Sequence, residues 1–429
     1  MTITFIGHGY VGLVTACVFA DFGNDVFVIG HTKEKIELLK KGNPIIYEPG
    51  LKELLEKNLK AKRIHFTLDY SQAIPKSDIV FIAVGTPPKE NGEADLSAVL
   101  DVARSIARHL KKKFTVISSK STVPVGTNKK VKIILEKHKS KDAEVAVASC
   151  PEFLREGTAI YDTLNADRVV IGSESKKAVE LLLKLHESIN GKRIITDLAS
   201  AELIKYTSNA MLATKISFAN LISLFCEKTG ADVEQVLDAV GLDKRIGRIF
   251  MDPGVGYGGS CLPKDVMALT NIGKSLGIDT GFLESVESIN KKSKENLLAK
   301  VKKNISGNHI AIWGLSFKPN TDDIRFAPSL YVIETLLKDD FTLSVYDPAA
   351  IENIKKLFNT KLIYCNDPYH AAKNAEGLII LTEWNEFRQI DFEKLKKVLK
   401  HPLIFDGRNI YPSEVMKKFG FKYFSVGRS

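Results

Sequence analysis

A cysteine in the segment 258–265 (GGSCLPKD) is the residue whose setting most directly suggests chemistry. Pro263 suits the first turn of a helix, so Cys261 is predicted at a helix N-terminus with Lys264 close by. A helix N-terminus and a neighbouring cation both favour the thiolate, which is the nucleophilic form of cysteine. The segment therefore predicts a nucleophilic cysteine, and a buried structural thiol is the alternative.

Two further pairs of polar residues stand four positions apart. Lys205 and Asn209 fall on one face of a predicted helix, where an ammonium and an amide together can stabilise an oxyanion. Glu152 and Glu156, in the segment 150–157 (CPEFLREG), would share a face if that segment were helical. Paired acids would then repel unless one contacts a cation, water or ligand. A solvated surface is the alternative for both pairs.

A glycine-rich turn near the start of the chain predicts a dinucleotide site. The sequence GHGYVG occupies positions 7–12, between a predicted buried strand, Thr2–Ile6, and a predicted helix, 10–22. Gly9 lets the backbone approach a pyrophosphate, which then lies at the N-terminus of the following helix. The strand before the motif and the helix after it make this interpretation far more specific than the motif alone.

One element of an NAD site is missing. Such sites usually carry an acid at the end of the second strand, where it binds the ribose 2′-hydroxyl. Here the predicted strand Asp25–Ile29 ends at Gly30, and 31–35 (HTKEK) follow. Either other contacts hold the adenosine ribose of NAD, or His31, Thr32 and Lys33 accept a 2′-phosphate and permit NADP.

Two more loops follow predicted strands of the same sheet. They are 84–88 (VGTPP) and 121–124 (STVP). Because ligands in such sheets bind outside the carboxyl ends of the strands, both loops are expected near cofactor and substrate. Ordinary connecting loops are the alternative.

The elements that must position these residues alternate between strand and helix. Buried strand patterns recur through about the first 180 residues, a long helix is predicted at 199–228, and strands return after about residue 309. We predict the class α/β, with two Rossmann-like parallel-sheet domains joined by a central α-helical domain that contains the long helix. The predicted domain boundaries are 1–198, 199–302 and 303–429.

Composition excludes several classes of protein. The 429 residues are 44% hydrophobic and 26% charged, as in ordinary globular proteins. The net charge of +10 indicates a solvated surface or a field that attracts an anionic small molecule. Nucleic acid is not expected, because the basic run 111–113 lacks aromatic partners. Five widely spaced cysteines favour a reducing cytoplasm, without disulfides. We expect no metal site, and no apolar stretch of the ~18 residues that a membrane span needs.

At this point the chain resembles the nucleotide-sugar 6-dehydrogenases, the UDP-glucose/GDP-mannose dehydrogenase family, along essentially its whole length. Each motif alone is moderately specific, but their occurrence in family order is highly specific. The motifs are GHGYVG (7–12), VGTP (84–87), STVP (121–124), PEFLREG (151–157), the helix with Lys205 and Asn209, GYGGSCLPKD (256–265), SFK (316–318) with DDIR (322–325), and FDGRN (405–409).

The resemblance implies a four-electron oxidation of the sugar C6 alcohol of UDP-glucose, with two NAD⁺ and no metal. It implies that Cys261 adds to the C6 aldehyde and that hydride leaves the thiohemiacetal to give a thioester. Water then hydrolyses the thioester to UDP-glucuronate. It also implies an NAD(P)-binding first domain, a central domain that forms a homodimer or higher homo-oligomer, a C-terminal UDP-sugar-binding domain and no membrane partner.

The resemblance also assigns roles to individual residues. Asp265 would help to hold Lys205 and a water, and the position of Arg245 would reach a neighbouring subunit's substrate. The implied catalytic residues are Thr122, Glu152, Lys205, Asn209, Cys261 and Asp265. The implied cofactor-binding residues are Gly7, Gly9, Tyr10, Val11, Gly12, Lys35, Thr86, Thr122, Glu156, Lys264 and Arg325. The implied substrate-binding residues are Glu152, Phe153, Leu154, Lys205, Asn209, Arg245, Tyr257, Gly258, Phe317, Lys318 and Arg408.

Two positions depart from the family pattern, and several alternatives stay open. The family usually has an acid where Gly30 stands and Asn where Cys150 stands. A GDP-mannose or UDP-N-acetylhexosamine dehydrogenase is the alternative within the family, although Ser260 stands where the UDP-N-acetylmannosamine enzymes tend to have His. A two-electron hydroxyacid-type dehydrogenase or a non-enzymatic NAD(P)-binding scaffold is less well supported, because Cys261, Lys205 and Asp265 are all present.

Overall fold

The computed structural model of the protein describes residues 1–428. These residues divide into two compact units. The first unit contains 1–208 together with 267–272, and the second contains the remaining described residues.

The first unit is built on an eight-stranded sheet. Its strands are Thr2–Ile6 (β1), Asp25–Ile29 (β2), Ile64–Thr67 (β3), Ile79–Ile82 (β4), Phe114–Ser119 (β5), Glu144–Ser149 (β6), Arg168–Ser173 (β7) and Lys192–Thr196 (β8). Their spatial order is β3-β2-β1-β4-β5-β6-β7-β8. Neighbouring strands run parallel except β6 and β7. The first six strands thus have the 3-2-1-4-5-6 order of a Rossmann sheet.

Helices cover both faces of this sheet, which explains the continuous apolar strands. β4 (IVFI), for example, is buried at every position. The helices are Tyr10–Asp21 (α1), Lys33–Lys40 (α2), Leu51–Lys60 (α3), Tyr70–Ala73 (α4), Ser97–His109 (α5), Thr127–His138 (α6), Ala159–Leu164 (α7) and Lys176–Leu185 (α8). Two apolar cores result, one containing Phe5, Phe19 and Phe81 and the other Ile6 and Ile106.

The long helix expected from the sequence is present as Leu198–Thr229 (α9), with 32 residues. It begins in the first unit and continues into the second. By length and composition alone, this helix could cross a membrane. However, 44% of its most apolar window is buried within the protein, and the core helices of other folded proteins are equally long and apolar. The expectation that no apolar stretch is long enough to span a membrane is therefore wrong for α9. Its polar residues are spaced apart, so the mean hydropathy of an 18-residue window stays high.

The second unit contains further helices and a six-stranded sheet. The strands are His309–Trp313 (β9), Thr342–Tyr346 (β10), Ile363–Tyr364 (β11), Gly377–Ile380 (β12), Leu403–Asp406 (β13) and Lys422–Phe424 (β14). All pairs are parallel, and the order β11-β10-β9-β12-β13-β14 repeats the Rossmann pattern. The predicted α/β class with two Rossmann-like sheets and a long central helix is confirmed.

The remaining helices complete the second unit and surround its sheet. They are Val233–Gly241 (α10), Leu262–Ser275 (α11), Gly281–Asn304 (α12), Pro328–Lys338 (α13), Ile351–Phe358 (α14), Pro368–Ala372 (α15), Asn385–Arg388 (α16), Phe392–Val398 (α17) and Ser413–Lys418 (α18). The middle of α11, 267–272, belongs to the first unit.

Candidate active site

The glycine-rich turn in the first unit has the geometry of a phosphate cradle. Gly7 has φ of +115°, and a Cβ there would lie 2.3 Å from the carbonyl oxygen of Ala83. A Cβ on Gly12 would lie 2.2 Å from the carbonyl oxygen of Gly7, so the turn and α1 pack without room for side chains. A Cβ on Gly9, in contrast, would meet nothing within 4 Å. The open space at Gly9, at the start of α1, fits a dinucleotide pyrophosphate.

Two loops at the carboxyl ends of β4 and β5 are joined to each other. The Oγ1 of Thr86 donates a hydrogen bond to the Thr122 carbonyl at 2.9 Å. The Oγ of Ser121 donates to the Val84 carbonyl at 2.6 Å. β4 neighbours β1 in the sheet, so these loops lie at the same edge as the glycine-rich turn. This edge holds the predicted Thr86 and Thr122.

The segment 150–157 is not helical, so the condition under which Glu152 and Glu156 would share a helical face is not met. The Oε1 of Glu152 accepts the backbone N–H groups of Phe153, at 2.9 Å, and Leu154, at 3.2 Å. These donors bond to a side chain rather than to helical carbonyls. Gly157, with φ of +80°, then turns the chain in the left-handed region.

The other oxygen of Glu152 forms a buried ion pair. Its Oε2 lies 2.8 Å from the Nζ of Lys120, and both side chains are almost fully buried. Burial alone would raise the pKa of Glu152, but the charge and hydrogen bond of Lys120, the Phe153 amide and the charge of Lys205 together lower it. Glu152 is therefore a fixed, ionised carboxylate.

Lys120 also contacts a buried thiol. The Cys150 Sγ lies 4.0 Å from the Lys120 Nζ and 3.7 Å from the Nε2 of His186. Burial raises the pKa of the Cys150 thiol, and burial together with the Lys120 charge lowers the pKa of His186 to about 3. Both groups are therefore neutral next to a charged lysine. The sequence identified Cys150 as a departure, but it did not identify Lys120 or His186.

Phe153 brings two cations to this cluster. The Nζ of Lys205 lies 5.0 Å from the centre of the Phe153 ring, and the guanidinium of Arg168 lies 4.1 Å from it. Lys205 is itself buried. The predicted residues Glu152, Phe153 and Lys205 are thus together in the first unit, with Leu154 beside them in the chain.

Glu156 is also buried, and its loop is held by a residue that the sequence analysis missed. The carboxylate of Glu48 accepts the N–H groups of Gly157 at 2.6 Å and Ala159 at 2.7 Å. The neighbouring Tyr47 carbonyl accepts a hydrogen bond from the hydroxyl of Tyr10 at 3.1 Å. The segment around Glu48 thereby links the glycine-rich turn to the loop of Glu152 and Glu156.

In the second unit, Cys261 lies at the N-terminus of α11 as the sequence predicts. Its carbonyl accepts the N–H of Asp265 at 2.9 Å, which makes Cys261 the capping residue. Its side chain is exposed, whereas the other four cysteines are buried. The Sγ lies 3.7 Å from the Oγ of Ser260.

Asp265 is fully buried one turn into α11 and accepts two hydrogen bonds. The Nδ2 of Asn209 donates to its Oδ2 at 2.5 Å, and the Nζ of Lys264 pairs with its Oδ1 at 2.5 Å. Asn209, Lys264 and Asp265 thus form one network beside Cys261. Lys205 and Asn209 also lie four residues apart on the single helix α9, as expected.

The loop before Cys261 packs against the segment that follows β9. A Cβ on Gly258 would lie 2.3 Å from the Phe326 carbonyl oxygen, and one on Gly259 would lie 2.6 Å from the Phe317 ring. The hydroxyl of Tyr257 donates to Glu287, and burial raises the pKa of Tyr257, so it stays a phenol.

Arg408 ties this region to the second sheet. Its guanidinium donates to the carbonyls of Leu381 at 2.8 Å and Gly256 at 3.0 Å. The Nζ of Lys318 lies 5.7 Å from the centre of the Phe317 ring. The predicted substrate residues Tyr257, Gly258, Phe317, Lys318 and Arg408 are therefore neighbours within the second unit.

Two predicted residues lie outside these clusters. Lys35 is exposed on α2. Arg245 is also exposed and pairs with Asp243 at 2.6 Å in the turn after α10. Arg325, in contrast, lies beside the loop before Cys261, because its carbonyl accepts the N–H of Gly259 at 2.8 Å; its side chain pairs with Asp323 at 2.6 Å. Among residues 1–428, no group of three or more His, Cys, Asp or Glu side chains could hold a metal ion.

The turn after β9 differs from the glycine-rich turn after β1, although both sheets have the same order. The carboxylate of Asp347, at the end of β10, accepts the N–H groups of Leu315 at 2.7 Å and Ser316 at 3.0 Å. The N–H groups that would bind phosphate are thus bonded to a side chain. The second sheet does not offer a second dinucleotide cradle.

Comparison with known proteins agrees with this division. The family model described as "UDP-glucose/GDP-mannose dehydrogenase family, NAD binding domain" matches residues 1–190. The models for the central domain and the UDP binding domain of the same family match 199–292 and 311–413. NAD binding thus belongs to the half of the chain that carries the glycine-rich turn.

Individual relatives cover the whole chain. UDP-glucose 6-dehydrogenase TuaD of Bacillus subtilis is 46% identical over 99% of this chain and 93% of its own length. The UDP-glucose 6-dehydrogenase of Rhizobium meliloti is 44% identical, with full coverage of both chains. The solved UDP-glucose dehydrogenase of Pyrobaculum islandicum superimposes with a TM-score of 0.93 at 36% identity and covers 100% of this chain and 98% of its own. The chain belongs to the UDP-glucose/GDP-mannose dehydrogenase family.

Proposed function

We propose that the protein oxidises UDP-glucose at C6 to UDP-glucuronate and reduces two NAD⁺ for each sugar. The observation that carries this proposal is the setting of Cys261, which is exposed at a helix N-terminus beside the Asn209–Asp265–Lys264 network. A two-electron dehydrogenase has no use for such a thiol. Relatives that are at least 40% identical over essentially the full chain and that are UDP-glucose 6-dehydrogenases support the choice of sugar.

The residues around the glycine-rich turn fit NAD⁺, which when bound accepts a hydride from C6 in each of the two oxidations. Gly7, Gly9 and Gly12 would hold the pyrophosphate, with Tyr10 and Val11 at the start of α1. The remaining residues proposed to bind the cofactor are Lys35, Thr86, Thr122, Glu156, Lys264 and Arg325.

Cys261 forms and then releases the covalent intermediate. After the first oxidation, its sulfur adds to the C6 aldehyde and the carbonyl oxygen takes a proton, which gives a thiohemiacetal. Loss of hydride and of the hydroxyl proton converts this to a thioester. Water adds to the thioester carbonyl, the C–S bond breaks, and the products are the C6 carboxylate and the regenerated thiol. The aldehyde is never released.

The polar residues beside these groups have complementary roles. Lys205 and Asn209, on one face of α9, stabilise negative charge on the C6 oxygen, and Asp265 orients Asn209 through their hydrogen bond. Thr122 and Glu152 handle proton transfer and the hydrolytic water. Because Glu152 is ionised, it can accept a hydrogen bond from that water.

Substrate binding uses a further set of residues. Glu152, Phe153 and Leu154 are proposed to bind the sugar nucleotide, and Arg245 would reach the substrate of a neighbouring subunit. The further proposed residues are Tyr257, Gly258, Phe317, Lys318 and Arg408. The mutual packing of these five supports their assignment.

Three coarser features complete the proposal. We propose an NAD-binding domain at 1–198, a central dimerisation domain at 199–302 and a UDP-sugar domain at 303–429, supported by the three family models. We propose at least a homodimer, supported by exposed apolar residues on α9 such as Phe218 and Phe225. A cytoplasmic location is supported by the absence of disulfides among the five cysteines.

The decisive experiment measures NADH formed from limiting UDP-glucose. Two equivalents for each sugar support the proposal. One equivalent without a covalent adduct on Cys261 would show a two-electron enzyme and overturn it. GDP-mannose and UDP-N-acetylmannosamine, tested in parallel, are expected to give at least about tenfold lower kcat/KM.

A variant separates the chemistry from binding. Cys261→Ser should abolish formation of UDP-glucuronate while UDP-glucose still binds, because a serine hydroxyl is a far weaker nucleophile than a thiolate at neutral pH. Cys365→Ser, at a buried cysteine directly after β11, serves as the control. Wild-type turnover by Cys261→Ser would exclude the thioester route.

A further inference from the structure

We propose that this chain uses NADP⁺ as well as NAD⁺, because the carboxyl end of β2 forms a binding site for the 2′-phosphate of the adenosine ribose. The inference rests on the proposed function only in that the cofactor is reduced during the same oxidation. The site consists of His8, Gly30, His31, the N-terminus of α2 and Lys35, all in the first unit.

The first observation is that no carboxylate stands at the position where NAD-specific sites carry one, which is Gly30. A Cβ built on Gly30 would lie 2.6 Å from the Cδ1 of Ile36 and 2.8 Å from the Cδ2 of His8. An aspartate or glutamate there would have to displace both side chains. The usual acceptor for a ribose 2′-hydroxyl, which would also repel a 2′-phosphate, is therefore absent, and Ile36 and His8 pack closely against the position where it would stand.

The second observation is a buried imidazole without a partner. His8 is 5% exposed, and its Nε2 has no hydrogen-bond partner among residues 1–428. The Cδ2 atom, which is bonded to this nitrogen, is the atom that approaches Gly30, so this edge of the ring faces the end of β2. A buried polar nitrogen without a partner is costly, and a phosphate oxygen would satisfy it.

The third observation is a concentration of positive charge around that ring. The ring of His31 lies 5.1 Å from the ring of His8 between centres. Burial and then the positive charges of His31 and Lys35 lower the pKa of His8 to about 4. His8 is therefore neutral near pH 7, and a phosphate dianion at this place would be attracted by the charge of Lys35.

The N-terminus of α2 adds backbone donors to the same place. Thr32 is the N-cap residue, and its side chain makes no capping hydrogen bond to the helix. The N-terminus of an eight-residue helix attracts phosphate through its N–H groups and its dipole. The one acid in the first turn is Glu34, which is exposed and would oppose an anion.

The primary test measures binding in the absence of any sugar. Titration calorimetry on the full chain would compare ADP-ribose with 2′-phospho-ADP-ribose at a fixed, low salt concentration. We expect the phosphorylated ligand to bind within about tenfold of ADP-ribose or more tightly, since each charge-assisted phosphate contact offsets the loss of a 2′-hydroxyl contact. Binding weaker by more than about tenfold would overturn the proposal.

Variants identify the groups responsible. The double variant His31→Ala, Lys35→Ala should lower the affinity for 2′-phospho-ADP-ribose relative to ADP-ribose by at least about tenfold. The variant Glu34→Gln should change this ratio in the opposite direction. Lys40→Ala, at the other end of α2, removes one positive charge from the same helix and should leave the ratio unchanged. Equal weakening of both ligands by the double variant would show a merely structural role and overturn the proposal.

Kinetics then connects the site to turnover. With saturating UDP-glucose, the ratio of kcat/KM for NADP⁺ to that for NAD⁺ should fall at least about tenfold in the double variant. If UDP-glucose is not oxidised but 2′-phospho-ADP-ribose binds as expected, the proposed function fails and this inference stands. If UDP-glucose is oxidised with NAD⁺ alone and the phosphorylated ligand does not bind, this inference fails and the proposed function stands.

Discussion

At the scale of single residues, the buried cluster of Lys120, Cys150 and His186 has a definite hydrogen-bond direction. The Nδ1 of His186 lies 2.7 Å from the Leu182 carbonyl and therefore donates to it, which leaves Nε2 as an acceptor for the Cys150 thiol. The sulfur in turn accepts from Lys120. Neutral His186 and Cys150 thus support a lysine that stays charged beside Glu152.

The neutral state of His186 predicts an acid sensitivity. Its folded pKa, about 3, lies below the unfolded value near 6.5, so the unfolded chain binds more protons between these pH values. The stabilisation is complete above pH ~6.5 and is lost as pH falls through this window, at about 1.4 kcal/mol per pH unit. Urea unfolding measured from pH 5 to 7 should show that the free energy of unfolding depends less steeply on pH in His186→Gln than in the wild type. His138→Gln, at an exposed position, should keep the wild-type slope, and equal slopes for all three proteins would contradict the prediction.

The ion pair between Lys120 and Glu152 predicts a stability change that a surface pair does not show. Lys120→Met leaves a buried carboxylate without its cation, which should lower the free energy of unfolding by about 3–5 kcal/mol. Adding Glu152→Gln should recover most of this loss. Lys132→Met, which removes an exposed pair with Glu174, should cost less than about 1 kcal/mol. Urea unfolding measures all four proteins, and similar losses for Lys120→Met and Lys132→Met would refute the assignment.

At the scale of elements, carboxylates from distant segments cap the helices that follow the functional loops. The Glu202 side chain of α9 accepts the N–H groups of Gly126 at 2.6 Å and Asn128 at 2.8 Å, at the N-terminus of α6. α6 has Gly126 as its N-cap residue and no side-chain cap of its own. The loop of Thr122, immediately before α6, is thereby fixed by α9.

This cap predicts a coupled loss of stability and activity. Glu202→Ala leaves buried N–H donors of α6 without an acceptor, so the free energy of unfolding should fall by about 1–3 kcal/mol. Because the loop of Thr122 loses its anchor, kcat should fall more than the affinity for UDP-glucose. Glu202→Gln keeps one acceptor oxygen and should be affected less. A Glu202→Ala enzyme with wild-type kcat would show that the cap does not position the loop.

The elements also show which features the sequence could reveal. The strand–turn–helix around Gly7–Gly12 and the helix N-terminus at Cys261 were predictable, because local residue types determine them. The cluster of Lys120, Cys150 and His186 was not, because β5, β6 and α8 bring it together from distant positions. Lys120 carried one weak signal, since a lysine that ends a buried strand is unusual.

The loop 150–157 shows why residue spacing alone does not establish a helix. The spacing of Glu152 and Glu156 is compatible with a helix, but side chains compete for the backbone donors. Glu152 takes the amides of Phe153 and Leu154, and Glu48 takes that of Gly157. The role of Glu48 depends on a contact across 109 residues, which no pattern in the local sequence reveals.

At the scale of the whole molecule, α9 carries an exposed apolar stripe in the second unit. Met211, Phe218 and Phe225 are spaced seven residues apart and are 57%, 46% and 61% exposed. Residues at this spacing lie on one face of a helix. A row of large apolar side chains open to solvent indicates a surface that another protein chain covers, which supports the proposed dimer.

The stripe predicts the effect of a single charge. Phe218→Glu should shift the proposed dimer towards monomer in sedimentation velocity, because a carboxylate buried in an apolar interface without a partner is strongly unfavourable. Leu357→Glu, at a 60% exposed position on α14, changes the same kind of residue and should leave the mass unchanged. A Phe218→Glu protein with the wild-type sedimentation coefficient would exclude this face from the interface.

The turn that follows the first strand differs between the two sheets. Gly9 leaves the cradle after β1 open, whereas Asp347 occupies the donors after β9. The same strand order is thus followed by two different turns, one with open space for a ligand and one whose backbone donors are already bonded.

The uneven exposure of the cysteines has a practical consequence. Four thiols are buried and Cys261 alone is accessible, so a thiol-specific reagent applied to the native protein should count competent active sites one by one. The fraction of a preparation that reacts would then equal the fraction able to turn over. By the same reasoning, peroxide or an electrophile should inactivate the enzyme at this one atom, and a reductant should preserve it during storage.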